Sequence, residues 1–111
     1  MIEIIIKNHL DLKLDEPVFT EKPSTSLGNY VVFEKTGGRE TNHLPSATFA
    51  FQSYGKSLYE AIVLNKKVKE AVKSLVELDE IRGVSLNSDY NFTDTTTKEY
   101  RYQAVFDIKY Y

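Results

Sequence analysis

The segment that most constrains the fold is an amphipathic stretch in the second half of the chain. Ser57 stands at an N-cap position and Glu60 follows three residues later, which is the pattern of a capping box. The sequence therefore predicts a helix over residues 58–75, about 27 Å long at the usual rise per residue. Its predicted apolar stripe, interrupted by Asn65, comprises Leu58, Ala61, Ile62, Val68, Ala71, Val72 and Leu75. The residues predicted to face water are Lys66, Lys67, Lys69, Glu70 and Lys73.

Three segments around this helix are rich in β-branched and aromatic residues, and we predict strands at 29–35, 47–54 and 100–110. In the second strand Phe49 and Phe51 share one face. The third strand alternates most regularly, which is typical of an antiparallel strand with one buried face. Its predicted inner residues are Tyr100, Tyr102, Ala104, Phe106, Ile108 and Tyr110.

The remaining segments are less regular. Residues 1–14 carry isoleucines at spacings that suit either a helix or a strand, and we favour a short helix. A short strand at 18–21, a loop at 22–28, an extended stretch at 84–91 and a turn at 91–99 complete the chain. We expect a single α+β domain over residues 1–111, in which one long helix packs on one face of a mostly antiparallel sheet.

Residues 36–46 separate the first two strands and form the most polar stretch of this region. The segment is too long for a tight hairpin, so we predict a projecting arm or a wide loop. Gly37 and Gly38 within it are attributed to backbone freedom at a turn, because the sequence around them matches no phosphate-binding motif.

Composition and charge exclude several classes of function. Hydrophobic residues make up 41% of the chain, which allows an ordinary core, and the absence of cysteine excludes disulfides and thiolate metal sites. A net charge of -2 argues against nucleic-acid binding through a basic face. No apolar run approaches the ~20 residues of a membrane span, and the first ten residues lack a signal-peptide cleavage site. We expect a protein that stays in the cytosol in which it was made.

The chain offers weak candidates for catalysis or metal binding. Glu40 and His43 could share a metal ion, but no third ligand lies nearby in sequence. Asp89 and Asp94 are assigned to turns rather than to a calcium site, because their spacing does not fit an EF-hand loop. No nucleophile elbow is present. We therefore expect no enzymatic activity, no cofactor and no metal.

Longer segments carry a family resemblance. The stretches YVVFEKTGG, ATFAFQSYGKSLYEAIVLNKKVKEAV and SDYNFTDTTTKEYRYQAVFDIKY together resemble the tail terminator proteins of long-tailed phages. Members of this group are also called tail completion, minor capsid or head-tail joining proteins. The resemblance covers residues 17–110 and rests on the order of whole segments, not on a catalytic signature.

The resemblance implies a structural role in a phage or prophage tail. Family members form a hexameric ring that sits on the tail tube, stops its polymerisation and presents a surface to the head-tail connector. Localisation at the tail–head interface of the virion follows, after assembly in the host bacterial cytoplasm. DNA would pass through the ring without specific binding. The arm would then reach a neighbouring subunit or the tube.

A ring needs an interface on each copy, and aromatic residues and arginine are enriched at such contacts. The candidate interface residues are Gly37, Gly38, Arg39, His43, Tyr54, Tyr90, Arg101 and Tyr111. Three other functions stay open. They are a head-tail adaptor or stopper, a small non-phage protein-binding module, and a small hydrolase that uses His43 with a nearby carboxylate.

Overall fold

The computed structural model describes residues 1–25 and 28–111. The elements are α1 (Ile2–Lys13), β1 (Val18–Phe19), β2 (Tyr30–Thr41), β3 (Leu44–Gly55), α2 (Leu58–Lys73), a short 3-10 helix (Ser74–Glu77), β4 (Ile81–Asn91) and β5 (Tyr100–Tyr110). The sheet has the order β1-β2-β3-β5-β4, and its neighbours are antiparallel except for the parallel pair β1–β2. The predicted α+β class and the N-terminal helix are confirmed. The predicted loop at 22–28 lies partly outside the described residues.

Both helices contribute to one core, on one face of the sheet. Alternate residues of β3 and β5 point into this core, and Phe49, Phe51, Phe106 and Ile108 are fully buried there. The helices add Ile2, Ile6, Leu10, Leu64, Val68 and Val72. The alternation predicted for β5 is confirmed for its central residues, since Ala104 is also fully buried on this side.

The long helix begins as predicted, because Glu60 N–H donates to Ser57 Oγ at 3.2 Å. Its predicted apolar stripe is partly wrong. Leu58 and Ile62 are 38% and 42% exposed, whereas Leu64, which was not in the stripe, is buried. The buried row follows positions 61, 64, 65, 68, 71 and 72. Because each residue turns the helix by about 100°, Ile62 then lies at the outer margin of that row.

Two of the lysines that were predicted to face water are instead half-buried in ion pairs. Lys67 Nζ lies 2.7 Å from Glu16 Oε2. Lys69 Nζ lies 2.5 Å from Asp89 Oδ2, and so joins α2 to β4. These lysines therefore help to attach the helix to the rest of the chain.

The segment at 36–46, which we call the arm, is a β-hairpin and not a wide loop. The prediction that it is too long for a tight hairpin was wrong, because β2 continues to Thr41 and β3 already begins at Leu44. Asn42 and His43 form the two-residue turn, with φ of 54° and 66°. Two positive φ values in succession are the requirement of a type I′ hairpin turn.

The assignment of Gly37 and Gly38 to a turn was also wrong. Both lie within β2, next to a bulge that follows Lys35, and neither has a positive φ. The left-handed conformation that the turn requires is supplied by Asn42 and His43, four or more residues further along. Asparagine tolerates that conformation better than most residues, so no glycine is needed there.

His9 is buried where α1 meets the end of α2. Its Nε2 lies 2.7 Å from Ser74 Oγ, and that hydroxyl donates to Ala71 O at 2.6 Å. Since the hydroxyl proton is used in this way, Nε2–H of His9 donates to Ser74. Burial, followed by the charge of Lys13, lowers the pKa of His9 below 6.5.

This lowered pKa predicts that the folded chain loses stability as the pH is lowered. Below about pH 6.5 the unfolded chain binds a proton that the folded chain resists, so unfolding becomes easier as pH falls toward the folded pKa of His9. The slope approaches at most ~1.4 kcal/mol per pH unit. Urea denaturation between about pH 7.5 and about pH 5.5 should show this loss for the wild type and a flatter profile for His9→Gln. Identical profiles would remove His9 as its cause.

Candidate assembly surface

The face of the sheet opposite the helices, which we call the open face, carries most of the candidate residues. Even-numbered residues of β3 and odd-numbered residues of β5 point to it, because they alternate with the buried core positions. Polar and charged groups dominate this face. Its two ends differ: one lies beside the arm, and the other lies where β3 leads into α2.

A chain of hydrogen bonds joins three strands at the end of the open face farther from the arm. Tyr54 OH donates to Gln52 Oε1 at 3.2 Å, and Gln52 Nε2 donates to Gln103 Oε1 at 2.9 Å. Gln103 Nε2 then donates to Tyr90 OH at 2.5 Å. Arg101 Nη1 donates to Tyr54 OH at 3.1 Å. The structure thus brings together Tyr54, Tyr90 and Arg101, three of the predicted interface residues.

Aromatic rings cover the Tyr54 end of this series of hydrogen bonds. Tyr30 stacks on Tyr54 with ring centroids 4.6 Å apart, and Phe19 meets Tyr30 edge-on. Burial raises the pKa of the Tyr30 hydroxyl. Tyr54 is only 4% exposed, so its ring packs inside this chain. A role for Tyr54 in an interface stays a prediction. The observed contacts of its side chain are all with residues of the same polypeptide.

Arg101 is held firmly at the surface. Its Nε donates to Phe92 O at 2.7 Å, and its guanidinium carbon lies 4.5 Å from the centroid of the Phe92 ring. Tyr90 meets the same ring edge-on at 6.0 Å. Tyr90 and Phe92 remain 40% and 38% exposed. An arginine fixed over an aromatic ring loses little freedom when a partner binds, which suits an interface.

The arm end of the open face forms a concavity of about 730 Å³. Three cationic side chains line it, namely Arg39, Arg82 and Lys109. One carboxylate, Asp107, also lines it and accepts a hydrogen bond from Thr48 Oγ1 at 2.7 Å. The concavity is therefore predominantly basic.

The tip of the arm carries His43, whose side chain is fully exposed and whose Nδ1 lies 4.0 Å from Glu40 Oε1. Within residues 1–25 and 28–111, no three or more His, Asp or Glu side chains are grouped so that they could hold a metal ion. The tip contributes an exposed polar surface.

Tyr111 is 72% exposed and lies beside Arg82, whose guanidinium carbon is 5.8 Å from the ring centroid. Arg82 Nε donates to Tyr110 O and its Nη2 donates to Pro45 O. Arg82 thereby ties the C-terminal strand to the arm, next to the pair Thr41–Leu44 that closes its turn. Sequence analysis did not single out this residue, because its place at the bulge between Ile81 and Gly83, beside the end of β5, depends on pairing across the sheet.

The candidate residues thus fall into separate groups. Gly37, Gly38, Arg39 and His43 belong to the arm, and Tyr111 lies at the same end of the sheet, while Tyr54, Tyr90 and Arg101 lie toward the other end of the open face. A further surface, which sequence analysis missed, is an exposed apolar row at the start of α2. It comprises Leu58, Tyr59, Ile62 and Val63.

Comparisons with known proteins support a fold and no family. No protein-family model matches the sequence, and no curated protein matches it. Among solved structures, the chain is similar to a chain of "Virion of native gene transfer agent (GTA) particle". The TM-score is 0.51 at 11% identity, covering 92% of this chain and 83% of the other. At that identity the likeness shows a shared fold. No helix in the described part of the chain has the length and apolar character needed to cross a membrane.

Proposed function

We propose that this chain is a structural protein of a phage-like particle. The observation that carries the proposal is the fold shared with a chain of a gene transfer agent virion, which extends over 92% of this chain. The residues of the open face fit a structural role, because the side chains of Gln52, Gln103 and Tyr54 are hydrogen-bonded to one another. We infer that the chain acts without catalysis and without a cofactor.

Within such a particle, we infer that the chain is a tail terminator. It forms a hexameric ring on the tail tube, stops tube polymerisation and presents a surface to the head-tail connector. The support is the segment resemblance over residues 17–110, together with an arm whose exposed tip extends past the end of β5. The protein then resides at the tail–head interface, after assembly in the host cytoplasm, and DNA passes through the bore without specific binding.

A ring of identical copies places a physical demand on this fold. Each copy must present two different surfaces, since a closed ring is built from head-to-tail contacts. The sheet offers such a pair, because β2 with the arm lies toward one side and β4 forms the opposite edge. The exposed residues of the arm and of the Tyr90–Phe92 region then serve as contacts with copies or with the tube.

Sedimentation velocity tests the proposal, using the purified chain alone, with the tail-tube protein of the same genome, and with the connector protein. We expect co-sedimentation with tubes and tubes that stop lengthening once the chain is added. Binding to the connector without binding to tubes would instead assign the chain to the adaptor or stopper layer. A chain that stays monomeric with both partners would contradict a role in the tail and favour a non-phage binding module.

A further inference from the structure

We propose that the free edge of β2 in the arm pairs with the edge of β4 in the next copy, so that the sheet continues from one subunit to its neighbour. The inference rests on the proposed ring and names the contact that closes it. The occupant of the β2 edge is thus a second copy of this chain. Strand addition at a sheet edge gains its affinity from main-chain hydrogen bonds.

The outer edge of β2 is open over most of its length. β1 pairs only with Val31 and Val32 of β2, and no other strand of the described residues adjoins this side. The rest of β2, from Phe33 to Thr41, therefore has main-chain groups that face outward without a partner strand. Open edges of this kind are templates for pairing with another chain.

The register of the arm shows which groups face outward. A two-residue turn closes with a hydrogen-bonded pair, here Thr41 and Leu44, so the next pair, Glu40 and Pro45, is not hydrogen-bonded. Pro45 fits a pair without hydrogen bonds, because proline has no N–H to donate. Alternation then directs the N–H and C=O of Gly38, like those of Glu40, away from β3.

The proposed contact between β2 of one copy and β4 of the next is antiparallel when both copies have the same orientation. The strands β2, β3, β5 and β4 alternate in direction across the sheet, so β4 runs opposite to β2. When two copies stand side by side in the same orientation, β4 of one runs antiparallel to β2 of the other. Such a contact is head-to-tail, and repeated by rotation it closes a ring.

The register of the sheet also shows that residues of the arm and residues at the start of β4 lie at the same height along the strand direction. Arg39 is opposite Ser46, which is opposite Lys109, which is opposite Gly83. In the same way Lys35 is level with Leu86 through Phe49 and Phe106. The bulges of β4 lie just outside this stretch, between Ile81 and Gly83 and between Leu86 and Ser88. Residues 83–85 are therefore a regular segment at the height of residues 37–39, which follow the bulge of β2 between Lys35 and Gly37.

Charge complements this alignment. The corner that precedes β4 carries three exposed carboxylates, Glu77, Asp79 and Glu80. It lies at the same end of the sheet as the arm, on the opposite edge. Arg39 is exposed and makes no ion pair among the described residues. Side-by-side copies would therefore bring Arg39 of one copy toward the acidic corner of the next.

Gly38→Pro tests the backbone contact, with Gly38→Ala as its matched control. Both variants add the same Cβ, whose nearest neighbour is the flexible Lys35 Cε at 3.0 Å, but only proline removes the outward N–H. Circular dichroism checks that each variant is folded. On tail tubes we expect at least a tenfold loss of ring formation for Gly38→Pro, and about wild-type behaviour for Gly38→Ala. Equal ring formation by both variants would overturn the edge pairing.

Charge reversal gives an independent test. Arg39→Glu alone, and Asp79→Lys with Glu80→Lys in another chain, should each reduce ring formation by about tenfold or more, since like charges then meet at every contact. An equimolar mixture of the two variants should form rings again, because alternating copies restore opposite charges at each joint. A mixture no better than its components overturns the inference. If the wild type itself neither forms rings nor binds tubes, the proposed function fails instead.

Discussion

Replacing Gly55 with alanine is expected to cost at least about 3 kcal/mol of folding free energy. Gly55 ends β3 just before α2, and a Cβ placed there would lie 2.4 Å from Ala61 N and 2.9 Å from Glu60 C. Both atoms belong to the main chain of the first turns of α2, so no side chain can move aside to relieve the overlap. The helix must shift away from the sheet, and it would lose contacts with the core as it does so.

Gly37→Ala is the matched control, since a Cβ at Gly37 would meet nothing within 4 Å. We expect its stability to stay within about 0.5 kcal/mol of the wild type. Urea denaturation followed by circular dichroism measures both variants. Equal effects of the two substitutions, or a stable Gly55→Ala, would show that the close approach of Gly55 to α2 does not constrain the fold.

Asn65→Asp is expected to be the second most damaging change, costing about 2–4 kcal/mol near neutral pH. Asn65 is 3% exposed in the buried row of α2, and its Nδ2 donates to Asp89 Oδ1 at 2.8 Å. The substitution removes this donor and places two carboxylates in contact. Lys69 already pairs with Asp89, so it offsets only part of the added charge.

The deficit should shrink in acid. Burial and the neighbouring Asp89 disfavour ionisation of the introduced carboxyl group, so its folded pKa is raised above the unfolded value. Its destabilising effect therefore grows as pH rises above about 4 and fades below it. Asn65→Leu is the control, and it should change stability by about 1 kcal/mol. It removes the hydrogen bond to Asp89, but it also removes the buried Asn65 Oδ1, which has no hydrogen-bond partner in the described chain. Equal losses for the two variants would contradict the repulsion.

The parts of the fold that local sequence determines were predictable. Ser57 and Glu60 form the cap of α2 with groups only three residues apart, so the start of the helix could be read directly. The alternation of β5 likewise placed Phe106 and Ile108 in the core, because a strand has the same period wherever it lies.

The parts that depend on distant contacts were not predictable in the same way. Which side of α2 is buried depends on where the helix sits on the sheet, and this is why Leu58 and Ile62 were assigned to the core wrongly. Asn65 interrupts the stripe in sequence but is buried, because Asp89 from β4 provides its partner. The arm was missed as a hairpin because its turn, Asn42–His43, lacks the glycine that usually marks a type I′ turn.

The candidate surface shows the same division. Sequence alternation placed Arg101 and Gln103 on one face of β5, but not beside Tyr54 and Tyr90. Those proximities follow from the register of β3, β5 and β4, which is set by pairing across the sheet and not by any single segment. The proposal that the acidic corner before β4 contacts Arg39 of the next copy likewise required the register that sets its height relative to the arm.

Electron microscopy of tail tubes grown with and without this protein is the sharpest test of the proposed ring. We expect tubes of limited length that carry a ring of six copies at one end, while tubes grown alone keep lengthening and show bare ends. Tubes that grow equally long in both preparations, with no added density at either end, would contradict it.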